Sequence, residues 1–457
     1  ETIGKELEQF RWFLDQTDQR LGNPAEHYIS FSASLEKAGT PFDLKYLFQT
    51  DMYTATTSNT LHIQWAYKIK RAMTLLNKIS LPPEKTSLEE FKNAFTERYE
   101  TREIPLATAL DTETGIGYLR NREAVDSTPF LDDLDLPDRH QTRQNLPWNP
   151  VQEILYKKLL ETIATKNRIL ALDDWDFEAL EAIWDDLPDT LSTLVEIIVV
   201  DGEENAVLSH IGGSSAANLL GRFSTGDPEM VKYVQHIVDT EKRMHPDTLI
   251  AEIIHLPESR TGNVIRRAAL RDYEIPYLGK SCLPPKGQLS VDDLMISVKQ
   301  NRLVLRSVKH NKEVLPRLTN AHNYAADAMP VYHFLCDIQR LDMRPGIGFS
   351  WGSLQEKHMF LPRVIYKDLI LSEARWKIGK EDMTSLTDKD GNSGDLMVRV
   401  ADWSAAHRLP RFVQLRDSDN TLLIDLTHRD SVAMWLDTVK NRTYFILEEF
   451  LFTGACI

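Results

Sequence analysis

Apolar residues recur at helical spacing through the first part of the chain and at strand spacing through the last. Ile3, Leu7, Phe10 and Leu14 share one face of a first helix, which Leu21, Gly22 and Pro24 end. Residues 28–33 and 44–52 read as short extended runs. A second helix covers 60–78, with Leu61, Trp65, Ile69, Met73 and Leu76 on its buried face. A third covers 88–99: Leu88, Phe91, Phe95 and Tyr99 recur at three and four, and Ser87 with Glu90 has the spacing of a capping box. That helix breaks into an extended Ile104-Pro105-Leu106 and a glycine-rich turn before Tyr118. Residues 121–147 hold Asp132-Asp133, Pro137 and a polar run, and read as a linker or exposed loop.

Asn149-Pro150 caps the next helix, with Val151, Ile154, Leu155 and Leu159 inward. Strands at 194–200 and 206–211 flank an Asp-Gly turn. Gly212-Gly213-Ser214-Ser215 leads into a short helix ending near Arg222, Asp227-Pro228 caps another helix, and 249–255 is a strand. Beyond 290 strands dominate. Residues 294–298 and 303–308 form one hairpin, and 411–416 and 422–426 a second. A helix at 430–439 and a strand at 443–450 follow, with Glu448-Glu449 read as a solvated edge. Helices early and antiparallel sheet late predict an α+β fold of several subdomains. The division is a helix-rich part over 1–120, the loop over 121–147, and an α+β part over 148–457.

Length and composition narrow the class. A chain of 457 residues exceeds one ordinary core and suggests about two to four packed subdomains. Hydrophobic content of 42% and charged content of 26% are ordinary globular values, which argues against disorder. No apolar run approaches the ~18 residues of a membrane span. Glu1 opens an amphipathic helix without the basic start of a signal peptide. Cys282, Cys336 and Cys456 are far apart and lack C-x-x-C spacing, so neither a disulfide framework nor a metal site is expected. A reducing cytoplasm is the expected compartment.

Net charge is −15, which argues against a non-specific coat on nucleic acid. The charges are segregated, however. Acid gathers in 172–189, and base in 299–317 against a lone Glu313. Lys299, Arg302, Arg306 and Lys309 fall on the first hairpin, where Arg302 and Arg306 share a face. They fit a backbone-tracking RNA patch or a solvated sheet face equally well.

Three further segments carry candidate chemistry. The element at 211–223, IGGSSAANLLGRF, follows a strand and opens a helix, where free N–H groups can hold phosphate or carboxylate. It lacks the Lys-Ser/Thr of a Walker A loop, and close packing at a tight turn explains its small residues as well. The segment at 255–279 crowds Arg260, Arg266, Arg267 and Arg271 among turn residues. Arginine's planar fork suits phosphate and carboxylate; a solvated basic loop paired with Glu252, Glu258 and Glu274 is the plain alternative. Asp51, after an extended run, orients an amine, acts as a base, or is simply a turn residue.

The wording of these segments resembles the N-terminal, glutamylating module of the lantibiotic dehydratases. The matching stretches are F-x-x-x-F-x-E-R-Y with P-L, L-D and G-I-G-Y over 91–118, Q-x-D-x-Y over 49–53, and G-R-F at 221–223. L-P-x-S-R-x-G-N-V-x-x-R with Y-E-I-P-Y-L-G falls within 256–279, P-V-Y-H-F-L-C-D over 330–337, and Arg411-Phe412-Val413 precedes the acidic turn. The resemblance runs from about residue 48 to about 452. It implies that glutamyl-tRNA, a co-substrate and not a bound cofactor, donates glutamate as an ester to Ser or Thr of a precursor peptide, for later elimination. It implies Arg222 and Asp51 as catalytic residues in one pocket, and Arg260, Asn263, Arg266 and Arg267 as substrate-binding residues. No leader-binding winged-helix region and no elimination domain is recognised, which implies a fragment or half of a split system working with a separate elimination protein or domain. A homodimer is compatible with it. The alternatives are an inert peptide- or tRNA-binding scaffold, and an aminoacyl-tRNA-dependent ligase that forms an amide.

Overall fold

A computed structural model describes residues 2–37, 39, 42–54, 56–82, 86–119, 148–200, 202–256, 265–324, 329–383, 386, 395–417 and 420–452. The predicted loop at 121–147 lies outside them. Helix α1 (Thr2–Asp18) packs on α2 (Ala25–Lys37) through Phe10, Phe13 and Phe31, the last two stacked at 4.3 Å. The expected strand at 28–33 is therefore helical, because Phe31 reaches these rings only when the chain coils. Residues 44–52 are likewise not a strand, and Leu44–Tyr46 is a 3₁₀ turn capped by Asp43. Helix α3 (Ile63–Ile79) buries Trp65, Ala72, Leu75 and Leu76, while Leu61 stays exposed ahead of it. In α4 (Ser87–Tyr99) the cap is Thr86, one residue before the expected Ser87; its hydroxyl accepts Glu89 N at 3.2 Å. Strand β1 (Ile104–Pro105) and α5 (Leu106–Leu110) follow.

Asn149 caps α6 (Pro150–Ala164) as its Asn-Pro start predicts, accepting Gln152 N at 2.9 Å. Next come β2 (Ile169–Ala171), the hairpin of β3 (Glu196–Val200) and β4 (Glu203–Val207), and β5 (His210–Gly212). The expected strand at 206–211 thus splits, because β5 leaves for another sheet. Asp227 caps α7 (Pro228–Met244). Beyond it lie β6 (Leu249–Ile254), β7 (Tyr273–Pro276), β8 (Leu294–Lys299), β9 (Arg302–Ser307) and β10 (Lys312–Arg317). Gln300 and Asn301 both take positive φ in the two-residue β8–β9 turn. Helix α8 (Pro330–Ile338), β11 (Gly346–Gly348), α9 (Leu354–Lys357), β12 (Phe360–Leu361), β13 (Arg363–Tyr366), β14 (Leu369–Ser372), β15 (Arg375–Gly379), α10 (Leu396–His407), β16 (Phe412–Asp417), β17 (Asn420–Asp425), α11 (Arg429–Val439) and β18 (Tyr444–Glu449) follow.

The fold is α+β. One sheet runs β1-β8-β9-β10-β6-β7, with the β10–β6 and β6–β7 pairs parallel. A second runs β2-β13-β14-β4-β3, and a third, wholly antiparallel, runs β12-β15-β18-β16-β17. Each has its own apolar core, around Phe95, Ile296 and Phe334, around Leu76, Leu155 and Tyr366, and around Trp376, Trp435 and Leu447. The short pair β5–β11 stands apart. Strand β18 is internal to its sheet, so Glu448 and Glu449 are buried and not a solvated edge. Glu449 takes both arms of Arg363 at 2.7 Å, and Glu448 faces Arg375 and Arg416. Among the described residues, no helix is long and apolar enough to cross a membrane.

Candidate active site

Strand β5 delivers the glycine-rich element into a series of turns and then a 3₁₀ turn, Gly221–Thr225, instead of the expected helix ending near Arg222. Gly213, at φ +104, makes the first bend, and its N–H donates to Pro345 O at 3.2 Å. Gly221 sits against the carbonyl of Thr319 so closely that a Cβ there would collide with it. Small residues thus serve close packing here, and the packing aims the next side chain, Arg222. Its guanidinium pairs with Asp51 through Nη2 and lies 4.9 Å from the Phe223 ring centroid, with the side chain 25% exposed. Nε of Arg222 is buried and has no partner among the described residues. Tyr53, two residues past Asp51, donates its hydroxyl to Phe223 O at 2.9 Å. Burial and then the Asp51 and Asp227 carboxylates hold its phenol above the usual value, while Arg266 pulls the other way.

The arginine segment reaches the same place. Ala268 N donates to Ser224 Oγ at 3.2 Å, which ties the stretch beyond Arg267 to the turn that carries Arg222. Arg267 pairs with Glu252 on β6 at 3.0 Å, and Arg266 is exposed near Tyr53. Arg260 and Asn263 lie outside the described residues. Beneath these groups is a buried charged layer. Arg271 bonds Glu241 at 2.7 Å and Glu252 at 3.2 Å, with its side chain 2% exposed. Glu241 also accepts the hydroxyls of Ser215 (2.6 Å) and Thr190 (2.7 Å). Arg317 pairs with Asp189, which also faces His245 at 2.8 Å. Charges so deep persist only when paired with an opposite charge. Glu252 does pair with the arginine segment, but in the interior and not on a solvated loop. An acid inside the apolar run Leu249-Ile250-Ala251-Glu252-Ile253-Ile254 was the available signal.

His255, which heads the arginine-rich segment, is buried just after β6. Its Nδ1–H donates to Tyr277 O at 2.8 Å, which leaves Nε2 buried and unpartnered among the described residues. Burial lowers its pKa, against the opposite pull of that hydrogen bond.

The basic hairpin lies on another face. Arg302 forks onto Glu313 at 2.7 and 2.8 Å, and Arg306 onto Glu103 at 2.7 and 2.5 Å. Glu313 is therefore not the only acid on this face, since Glu103 reaches it from the end of the first helical part. Arg317 belongs to the buried layer. The Lys309 ammonium donates to Pro285 O at 3.4 Å and its backbone N–H to Asp293 Oδ1 at 2.7 Å, and Lys299 is exposed. A shallow groove of about 550 Å³ runs over Lys299, Arg302, Arg306 and Glu313. A separate cavity of about 740 Å³ is lined by His322, Tyr324, His333, Asp337 and Arg340, on and before the α8 motif. Among the described residues, no group of His, Cys, Asp and Glu is arranged to hold a metal.

A family model described as the N terminus of lantibiotic dehydratases matches residues 1–434. The subtilin biosynthesis protein SpaB of Bacillus subtilis is 22% identical over 96% of the chain and 44% of its own length. The nisin biosynthesis protein NisB of Lactococcus lactis subsp. lactis is 20% identical over 84% of the chain and 36% of its own. The chain thus spans less than half of either relative. Two solved structures share the fold. The tRNA dependent lantibiotic dehydratase MibB from Microbispora sp. 107891 has TM-score 0.67 and 22% identity, over 84% of this chain and 37% of its own. The TbtB glutamylation domain from thiomuracin biosynthesis, bound to 5'-phosphodesmethylglutamycin, has TM-score 0.52 and 15% identity, over 86% and 48%.

Proposed function

Because the chain belongs to the lantibiotic dehydratase N-terminal family, we propose that it transfers glutamate from glutamyl-tRNA to Ser or Thr hydroxyls of a ribosomally made precursor peptide. This is the first half of lantibiotic-type dehydration. The observation that carries the reading is the Arg222–Asp51 pair beside the segment of Arg266 and Arg267, three sequence-distant pieces brought together. The tRNA dependence of MibB and the glutamylation assigned to the TbtB domain support it. In the transfer, a peptide hydroxyl attacks the glutamyl ester carbonyl. The new ester C–O bond forms, the bond to the tRNA ribose breaks, and the hydroxyl proton ends on the ribose oxygen. Arg222 and Arg267 stabilise the developing oxyanion and hold the glutamyl carboxylate. Asp51 orients Arg222 and relays the proton.

The surface offers sites for these partners. Strand β3 is the outer strand of its sheet, with Ile197 and Val199 exposed and Leu194 exposed just before it. An extended peptide can add to that edge through backbone hydrogen bonds. Lys299 and Lys309 take tRNA phosphates, and Arg302 and Arg306 exchange their carboxylates for phosphate. A separate elimination protein or domain removes the glutamate, in the reducing cytoplasm.

Mass spectrometry of the precursor after incubation with the full-length protein and charged tRNA tests this. Increments of one glutamyl group, removed by mild base, are expected. No adduct, or adduct from free glutamate and ATP without tRNA, refutes it. A base-stable amide at the peptide terminus points to the ligase.

A further inference from the structure

Glu252 touches one arm of the candidate active site and reaches the other through Thr319. Its Oε1 lies 3.0 Å from Nε of Arg267 and accepts Thr319 N at 2.7 Å. Its Oε2 accepts Thr319 Oγ1 at 2.5 Å and Arg271 Nε at 3.2 Å. Both oxygens are filled, and the residue is 4% exposed. Thr319, held by two of those bonds, abuts Gly221, the residue before Arg222. Ser224 closes the same turn by donating to Gly221 O at 2.6 Å while accepting Ala268 N.

We infer that Glu252 is a positioning residue that fixes Arg267 directly and Arg222 through Thr319 and Gly221, so that the two guanidinium groups meet one substrate from set places. What the arginines hold rests on the glutamyl-transfer reading; where they stand does not. Glu252 is on β6, locked between β10 and β7, whereas both arginines sit outside regular strands and α-helices. A carboxylate on a rigid strand can transmit that rigidity to turns. Glu252 engages Arg267 at Nε and Ile265 O engages it at Nη1, which sets the plane of its guanidinium. A charge placed only for stability would affect folding but would not tie two separate arginines to one reaction coordinate.

The test uses the full-length protein, with crystal structures and glutamyl-transfer kinetics of Glu252→Gln, Thr319→Val and Thr319→Ser. In Glu252→Gln both guanidinium groups should move, and kcat should fall about 100-fold while KM for charged tRNA stays within about threefold. Thr319→Val, which loses one bond to Glu252, should lose about tenfold in kcat, and Thr319→Ser, which keeps it, should restore it. The inference is overturned if Arg222 stays in place when Glu252 is changed. A loss of activity matching the loss of folded protein also overturns it, as do equal rates for Thr319→Val and Thr319→Ser. Should Glu252→Gln not fold, the Thr319 pair decides through both its structures and its rates. A wild-type protein that transfers no glutamate refutes the glutamyl-transfer reading, and the crystal structures still decide the placement.

Discussion

Arg271 and Arg302 each bond a glutamate at 2.7 Å, yet the two pairs stand in different media. Arg271 and Glu241 are 2% and 0% exposed; Arg302 and Glu313 are 43% and 24% exposed. In the interior each ion has lost its water, so its partner is the only alternative to an isolated charge. On the hairpin, water and salt replace either partner at little cost. The buried layer therefore suits a task that needs fixed geometry, and the hairpin suits contacts that must exchange. Arg222 stands between the two: it is paired, a quarter exposed, and its buried Nε has no partner among the described residues.

Removing one cation from each region should give the largest difference. Arg271→Ala should cost about 3–5 kcal/mol in urea unfolding, because it leaves the buried Glu241 without its cation and takes one of two from Glu252. Arg302→Ala should cost no more than about 1 kcal/mol. Equal losses would show that burial does not separate the regions.

Arg222→Ala probes the intermediate case. Glutamyl transfer should fall roughly 10²–10³-fold, the scale of a lost oxyanion donor. The unfolding free energy should change by less than about 1 kcal/mol, since the pair with Asp51 is partly solvated. A fall in stability as large as that of Arg271→Ala would move Arg222 into the buried layer.

A smaller effect belongs to tRNA binding. Replacing Arg302 and Arg306 by alanine should weaken it and lower the slope of log affinity against log salt by about 1 per lost phosphate contact. An unchanged slope would remove the hairpin from the RNA surface.

The smallest effect is in acid. The Arg306 hydrogen bond, opposed by burial, holds Glu103 below the usual carboxylate pKa. A carboxylate depressed in the folded state adds stability above its unfolded pKa, and that stability is lost as pH falls through the folded value. Glu103→Gln should therefore lower stability slightly at neutral pH, flatten the acid limb below about pH 4.5 and converge with wild type in stronger acid. Acid unfolding curves that coincide with wild type would show the pair contributes nothing.

Several of these elements were legible because local chemistry fixes them. Asn149-Pro150 and Asp227-Pro228 start helices wherever they occur before an amphipathic run, and both do so here. The paired segments around 300 and 420 form hairpins because alternation and turn residues agree. Residues 28–33 misled because Tyr28, Ile29 and Phe31 suit a strand in isolation, and only the rings of α1 favour coiling. Glu448-Glu449 misled because their setting depends on which strands flank β18, information absent from the local sequence.

The site divides the same way. The α+β class, the capped helices and the hairpins follow from periodicity and short-range sterics and can be read from the chain alone. The resemblance selected Arg222 and Asp51. That these two pair across 171 positions of sequence is visible in the folded chain alone. So are the contacts of Glu252 with Arg267 and Thr319 and the neutralisation of Arg306 by Glu103. The physical reason is that a charge acts through distance and dielectric, and both are set by elements that the chain brings together only on folding.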